Sequence, residues 1–306
     1  MNQDVNLGAM GVRRRTQANL FRALGAEIAN LNITSHNYLR QYRAHFGITP
    51  LKTALLYDII LEQHERARGI LPEHLMWALL QARTYNREEI LAAMAGTTEK
   101  TYREKSWDVL EILCNLNLID WERRKVRCIR HNRCMVTVDG TDFRIKEQFP
   151  FDSRWYSHKY NGPGVRYEFA ISIATGWIVR VYGPFPCGDW PDLRIARHEL
   201  IYILEPGEYY IADKGYRDGY NWCYSPTGDD TYADRQIAAL RARHENVNRR
   251  IKEWGAMQQK WRHPIEKHGI MLGAIANIVQ LGLETDAPLR YVHYDEREFG
   301  EDFLLN

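Results

Sequence analysis

The chain has 306 residues, 45% hydrophobic and 26% charged, which argues against disorder and allows a core of useful size in one large domain or two modest ones. A formal net charge of +2 excludes recognition of a polyanion by bulk charge, so any basic surface has to come from local clustering. Five scattered cysteines, no apolar run near the roughly 18 residues a membrane span needs and no apolar signal core lead to the expectation of a soluble, intracellular, non-secreted protein in a reducing compartment.

A basic run, Arg13 to Arg15, stands near the start. From about Gln17 to Asn117 the pattern is helical. Pro50 opens an amphipathic run with Leu51, Ala54, Leu55 and Ile59, and Pro72 opens another with Leu75, Met76, Leu79 and Leu80. Asn86 is expected to cap a helix through Met94, with Glu88 and Glu89 in its first turn. Gly96 ends it, and Thr97 or Thr98 caps the next, from about Glu99 to Leu116. Helix, glycine-containing turn, helix is a helix-turn-helix-like pair, and a DNA reader would present Lys100, Tyr102, Arg103 and Lys105 there. Two packed helices without DNA contact show the same pattern. Glu99, Glu104, Asp108 and Glu111 would repel phosphates, so packing through Leu110, Ile112 and Leu113 is the expectation.

From Arg127 the period becomes strand-like. MVTVDGTDF, RYEFAISIAT and GWIVRVYGPF read as three strands, the last two joined by a turn at Ala174, Thr175 and Gly176. A helix is expected from Pro191 to about Leu204, then a short strand in EYYIADKGY, a long charged helix from Tyr232 to about Trp254, and an apolar helix from about Ile270 to Leu283. The segment from Thr285 onward is acidic. The expected division is a helical region 1–126, an α/β domain 127–284 and an acidic C-terminal tail 285–306.

Three acids stand at strand ends or in the long helix: Asp139 in VTVDG, Asp213 in YIADKG and Glu245 in RARHENV. Metal-dependent phosphoryl transfer uses hard oxygen ligands that share cations on one phosphate, and rigid strand ends suit that task. Acids after strands also cap turns, and a helical Glu is commonly solvated. Cys128, His131 and Cys134 have spacings suggestive of zinc, without a fourth ligand at a standard spacing.

VDGTD, SHKYNGPGVRYEFAISIATGWIVRVYGPFPCGDWPDLRI, IADKGY and RHENVNRRIKEW together resemble the catalytic domain of the Harbinger-type DDE transposases, over about Met135 to Gly282. The resemblance implies a ribonuclease-H-like mixed sheet flanked by helices, an α/β fold preceded by an all-α region. It implies hydrolysis of DNA phosphodiester bonds by a transposase or transposase-derived endonuclease, with two Mg²⁺ or Mn²⁺ ions and the capacity for strand transfer. Asp139, Asp213 and Glu245 carry over as metal ligands. DNA is the implied substrate, His158, Lys159, Arg166, Arg241, Arg249 and Arg250 its contacts. A Myb-like DNA-binding partner, a homo-oligomer and nuclear location in a eukaryotic host are further implications, with cytoplasmic location otherwise. The alternatives are a catalytically idle, domesticated descendant that binds DNA or protein, and an unrelated metal hydrolase on the same fold.

Asp142 stands where the family usually has His, and it is expected to share the strand face of Asp139. Asp192 matches an Asp the family often keeps, and it also suits the first turn of the following helix. A solvated loop around His158 and Lys159, and salt bridging along Arg241, Glu245 and Arg249, are the plainer readings of those basic residues.

Overall fold

The change of period near residue 127 marks a change of architecture. A computed structural model describes residues 2–65, 69–147, 149–216, 222–226 and 230–299, side chains 2–15 excepted. Arg13 to Arg15 and the end of the acidic tail, 300–306, lie outside the described residues and side chains. Contacts divide the chain into two compact units.

The first unit comprises Met1–Leu116 with Glu253–Gln259 and Ile270–Ile278. Its helices are α1 (Asn2–Ala29), α2 (Tyr38–Phe46), α3 (Pro50–Gln63), α4 (Pro72–Thr84), α5 (Glu88–Met94) and α6 (Glu99–Cys114). Local chemistry starts them: Thr49 accepts from Lys52 N–H ahead of Pro50, and Thr98 accepts from Thr101 N–H. Asn86 is not the cap of α5. Arg87 occupies that position without a side-chain cap, and Glu88 and Glu89 fill the first turn. Phe21, Tyr42, Phe46, Leu56 and Leu79 form the core with Leu110 and Leu113. Tyr102 is fully buried and donates to the Trp77 carbonyl at 2.9 Å, so it is not available to read DNA.

The second unit comprises Asn117–Lys252, Lys260–Gly269 and Val279–Asn306. Its six-stranded mixed sheet contains β1 (Cys134–Arg144), β2 (Tyr156–Ser157), β3 (Gly162–Ser172), β4 (Ile178–Pro186), β5 (Tyr209–Ile211) and β6 (Cys223–Tyr224). β1 pairs antiparallel with β3, and β3 antiparallel with β4 and β2. On its other edge β1 runs parallel to β5, and β5 parallel to β6. Strands β2 and β6, two residues each, escape a periodicity reading. Alternation sends Val136 and Val138 into one cluster with Ala196, Leu200, Tyr210 and Tyr216. Cys134 and Ile211 meet Ile237, Leu240 and Tyr294 in another.

The segment after β4 forms α7 (Asp192–Ile195), a π turn (Ala196–Leu200) and α8 (Ile201–Ile203). Then come α9 (Tyr232–Lys252), α10 (Gly255–Gln258), which is counted with the first unit, and α11 (Ile265–Thr285), of which residues 270–278 are counted with the first unit. The last helix starts five residues earlier than its apolar pattern, directly after Pro264, because polar Glu266, Lys267 and His268 complete its first turns. The acidic C-terminal stretch is not uniformly solvated: Glu296 is wholly buried and accepts from Arg133 N–H at 3.0 Å and Cys134 N–H at 2.7 Å. No helix among the described residues is long and apolar enough to cross a membrane.

Candidate active site

Paired parallel strands place two of the acids side by side. Thr137 faces Ile211 in the β1–β5 register. Asp139 lies two residues further along β1 and Asp213 two residues past the end of β5. Asp139 does not end its strand as expected: it sits mid-strand opposite Phe169, because β1 stays paired with β3 as far as Arg144. Asp139 points with Thr137 and Thr141, the row on which α9 docks. Thr137 Oγ1 is 2.8 Å from His244 Nε2, and Thr141 Oγ1 donates to Asn248 Oδ1 at 2.7 Å. Between those anchors α9 carries Glu245, which is exposed. One turn earlier, Arg241 Nη2 stands 3.9 Å from Asp213 Oδ2.

Asp142 does not share the face of Asp139. Three residues separate the two, and strand alternation therefore turns them to opposite sides. Ser157 Oγ donates to Asp142 at 2.6 Å, and Arg166 grips it through Nε at 2.7 Å and Nη2 at 3.1 Å. This fork and the hydroxyl hold the Asp142 carboxyl below its ordinary range despite burial.

Arg166 also reaches Asp192 Oδ1 at 3.3 Å and donates to the Trp190 carbonyl. Its guanidinium is thus engaged within the unit. Asp192, at the start of α7, lies against the backbone of β1. A Cβ on Gly140 would stand 2.1 Å from Asp192 Oδ1, so the absence of a side chain there permits the approach. Asp192 Oδ1 is buried and has no hydrogen bond. Beside it lie fully buried Glu168, paired with Arg180 at 2.7 Å, and Tyr216.

Electrostatics tie the acids together. The Asp139 pKa is pushed up to about 6, first by desolvation and then by the like charges of Asp192 and Asp213, against the opposing pull of Arg241 and Lys159. Asp192 is raised as well, by burial first. These are oxygen donors whose mutual repulsion a divalent cation would relieve, so the donor chemistry fits a hard metal ion. Among the described residues no group of three or more acidic, His or Cys side chains is assembled closely enough to hold one. Glu245 is thus not drawn into a ready-made triad.

The remaining basic residues divide. His158 and Lys159 are exposed just before β3, and Lys159 is near enough to act on Asp139. Arg249 is exposed, whereas Arg250 donates to Asn246 Oδ1 and to the Ala287 carbonyl. Arg243 is buried and serves the fold. His131 pairs with Asp295, and Cys134 is sealed inside β1, so the Cys–His–Cys segment forms no metal group.

His244 anchors the helix that carries Glu245. Burial pushes its pKa down to about 3, from an ordinary 6.5. Its stabilising effect is therefore full above pH 6.5 and declines as pH falls toward 3. The advantage of the native chain over His244→Gln in urea unfolding should shrink by about 2 kcal/mol between pH 6.5 and 5. A constant gap would contradict a neutral, buried His244.

Residues 138–280, somewhat under half the chain, match the family model described as DDE superfamily endonuclease. The match supports a DDE transposase-like family and an endonuclease or transposase function. No curated protein and no solved structure matches significantly.

Proposed function

We propose that the second unit is the catalytic part of a Harbinger-type DDE transposase, or of an endonuclease derived from one, which hydrolyses DNA phosphodiester bonds. The observation that carries this reading is the placing of Asp139, on β1, and Asp213, just past the parallel neighbour β5, near enough for Asp213 and Asp192 to raise Asp139. The strand order β4–β3–β1–β5–β6, antiparallel in its first half and parallel in its second, supports a ribonuclease-H-like sheet. The catalytic domain we infer runs over 127–284, after a helical region 1–126 and before an acidic tail 285–306.

Asp139, Asp213 and Glu245 would hold two divalent cations, Mg²⁺ or Mn²⁺. Such ions supply positive charge at a scissile phosphate and lower the pKa of water. The chain's own contribution is orientation. The β1–β5 pair fixes two carboxylates, and the His244 and Asn248 anchors fix the helix bearing the third. Lys159 and Arg241 offer positive charge, and His158 a hydrogen-bonding ring, to the DNA backbone. Arg249 extends that surface along α9, while Arg166 and Arg250, already engaged within the unit, contribute mainly through their charge. The same site would accept a 3′ hydroxyl as nucleophile, giving strand transfer.

A second reading, an idle descendant that binds DNA without cutting it, is favoured by the exposed Glu245 and by the lack, among the described residues, of an assembled three-ligand group. Nicking of supercoiled plasmid by the full chain separates the two. Mg²⁺-dependent nicking that a chelator abolishes is expected. Tight DNA binding without any nicking, in Mg²⁺ or Mn²⁺, would leave the idle reading standing.

Gly140→Ala gives a narrower test. The added methyl has to displace the Asp192 carboxylate. Because that is a side-chain end, the stability cost should stay near about 1 kcal/mol, while nicking should fall at least about tenfold, equivalent to roughly 1.4 kcal/mol. Undiminished nicking would remove Asp192 from the working site.

A further inference from the structure

The face of α9 turned away from Asp139 borders an open cavity of about 520 Å³ within the second unit, lined on its other side by residues 289–293. This lies inside the size range of small-ligand sites. Three arginines, Arg235, Arg243 and Arg290, line it, and no carboxylate does. Arg235 pairs with Asp230, and His293 with Glu298, both acids lying outside the lining. Arg290 is exposed.

Arg243 is the informative residue. It is 5% exposed and faces no carboxylate partner among the described residues. Its Nη1 donates to the Ile173 carbonyl at 2.6 Å and its Nε to the Arg290 carbonyl at 3.1 Å. These bonds hold the guanidinium in place through Nε and Nη1, at the wall of the cavity that Arg243 lines. A buried cation facing only carbonyls is costly unless an anion meets it. The Oδ1 of Asn246 is taken by Arg250, so its amide N–H groups are the donors left at the wall. Tyr291, 71% exposed, presents an aromatic face at the rim.

We propose that this cavity is a nucleotide-phosphate site. Arg243, Arg290 and Asn246 receive one phosphate, and the adjoining base stacks on Tyr291. The site is separate from the acids, on the opposite side of the same helix. The source we assign is a single DNA strand, an identity that rests on the nuclease reading. A free nucleotide shares the chemistry and is distinguished by experiment.

The test uses the full chain and its Arg290→Glu and Tyr291→Ala variants, both altered at exposed positions. Anisotropy with a fluorescein-labelled twelve-nucleotide oligothymidylate should show Kd raised at least about tenfold in each variant, about 1.4 kcal/mol. Arg290→Ala should lower the log–log salt slope by about 0.7, the value for one phosphate on a single strand. An oligonucleotide carrying 5-iodouracil should crosslink to the peptide containing Tyr291. Asp139→Asn should keep both binding and crosslink while losing cleavage, so failure of catalysis and failure of this site are read separately. Calorimetry with thymidine monophosphate is the second arm. Binding lost in Arg290→Glu, without oligonucleotide binding, supports the site and assigns it to a free nucleotide. Unchanged oligonucleotide affinity and slope in the variants, with no crosslink at Tyr291 and no heat with the mononucleotide, overturns it whether or not the protein cuts DNA.

Discussion

Asp139→Asn and Asp213→Asn should each reduce Mg²⁺-dependent nicking by about a thousandfold, roughly 4 kcal/mol of transition-state stabilisation. Asparagine keeps the shape of aspartate but loses the charge that a cation needs. Stability provides the control. The folded-state pKa of Asp139 is raised to about 6, above its ordinary value of 3.8. The ionised carboxylate therefore opposes folding above pH 6, and this penalty disappears below pH 3.8. Without metal, Asp139→Asn should melt no lower than the native chain at pH 7.5, and its advantage should vanish near pH 4. A structural acid would behave in the opposite way, losing stability at pH 7.5 on conversion to the amide. Glu245→Gln should lose nicking with little change in stability, since the residue is exposed. Undiminished cleavage in any of the three removes that residue from the ligand set.

Glu208→Gln should lower the unfolding free energy by about 3 kcal/mol, the range seen when one partner of a buried ion pair is removed. Arg124 and Glu208 are 1% and 2% exposed, and they meet through two bonds, Nε to Oε1 at 2.8 Å and Nη2 to Oε2 at 3.0 Å. The amide would leave a buried guanidinium with only exposed Glu122 at 3.0 Å and Glu205 at 3.7 Å as counterions. Trp121 lies under the guanidinium at 4.5 Å and cannot replace the charge. Changing both Arg124 and Glu208 to Met should cost less than the single change, because no unpaired charge remains. Urea midpoints of the three variants provide the check. A loss below about 1 kcal/mol for Glu208→Gln would show the pair to be effectively solvated.

What the sequence determined by itself was local. The change of period near Arg127, prolines opening α3 and α4, the Thr98 cap and the acid that follows β5 are all written in neighbouring residues, whereas β1 runs on past Asp139 because β3 keeps pairing with it. Short-range sterics and hydrogen bonding act on them directly. The expectation for Asp142 failed although the strand was read correctly: a separation of three residues puts it opposite Asp139, where Ser157 and Arg166 hold it. Tertiary structure alone decided which partners meet. Asp192 comes close enough for its charge to act on Asp139 because Gly140 leaves room for it against β1 and Arg166 steadies it, contacts between residues far apart in the chain. In sequence Arg243 is one more basic residue beside Arg241, and Glu296 one more acid of the C-terminal segment. Both are buried, Arg243 among backbone carbonyls and Glu296 on backbone N–H groups supplied from distant segments. A charged residue in sequence carries no mark of such partners, since backbone donors and acceptors are the same at every position and only the fold brings them to one place.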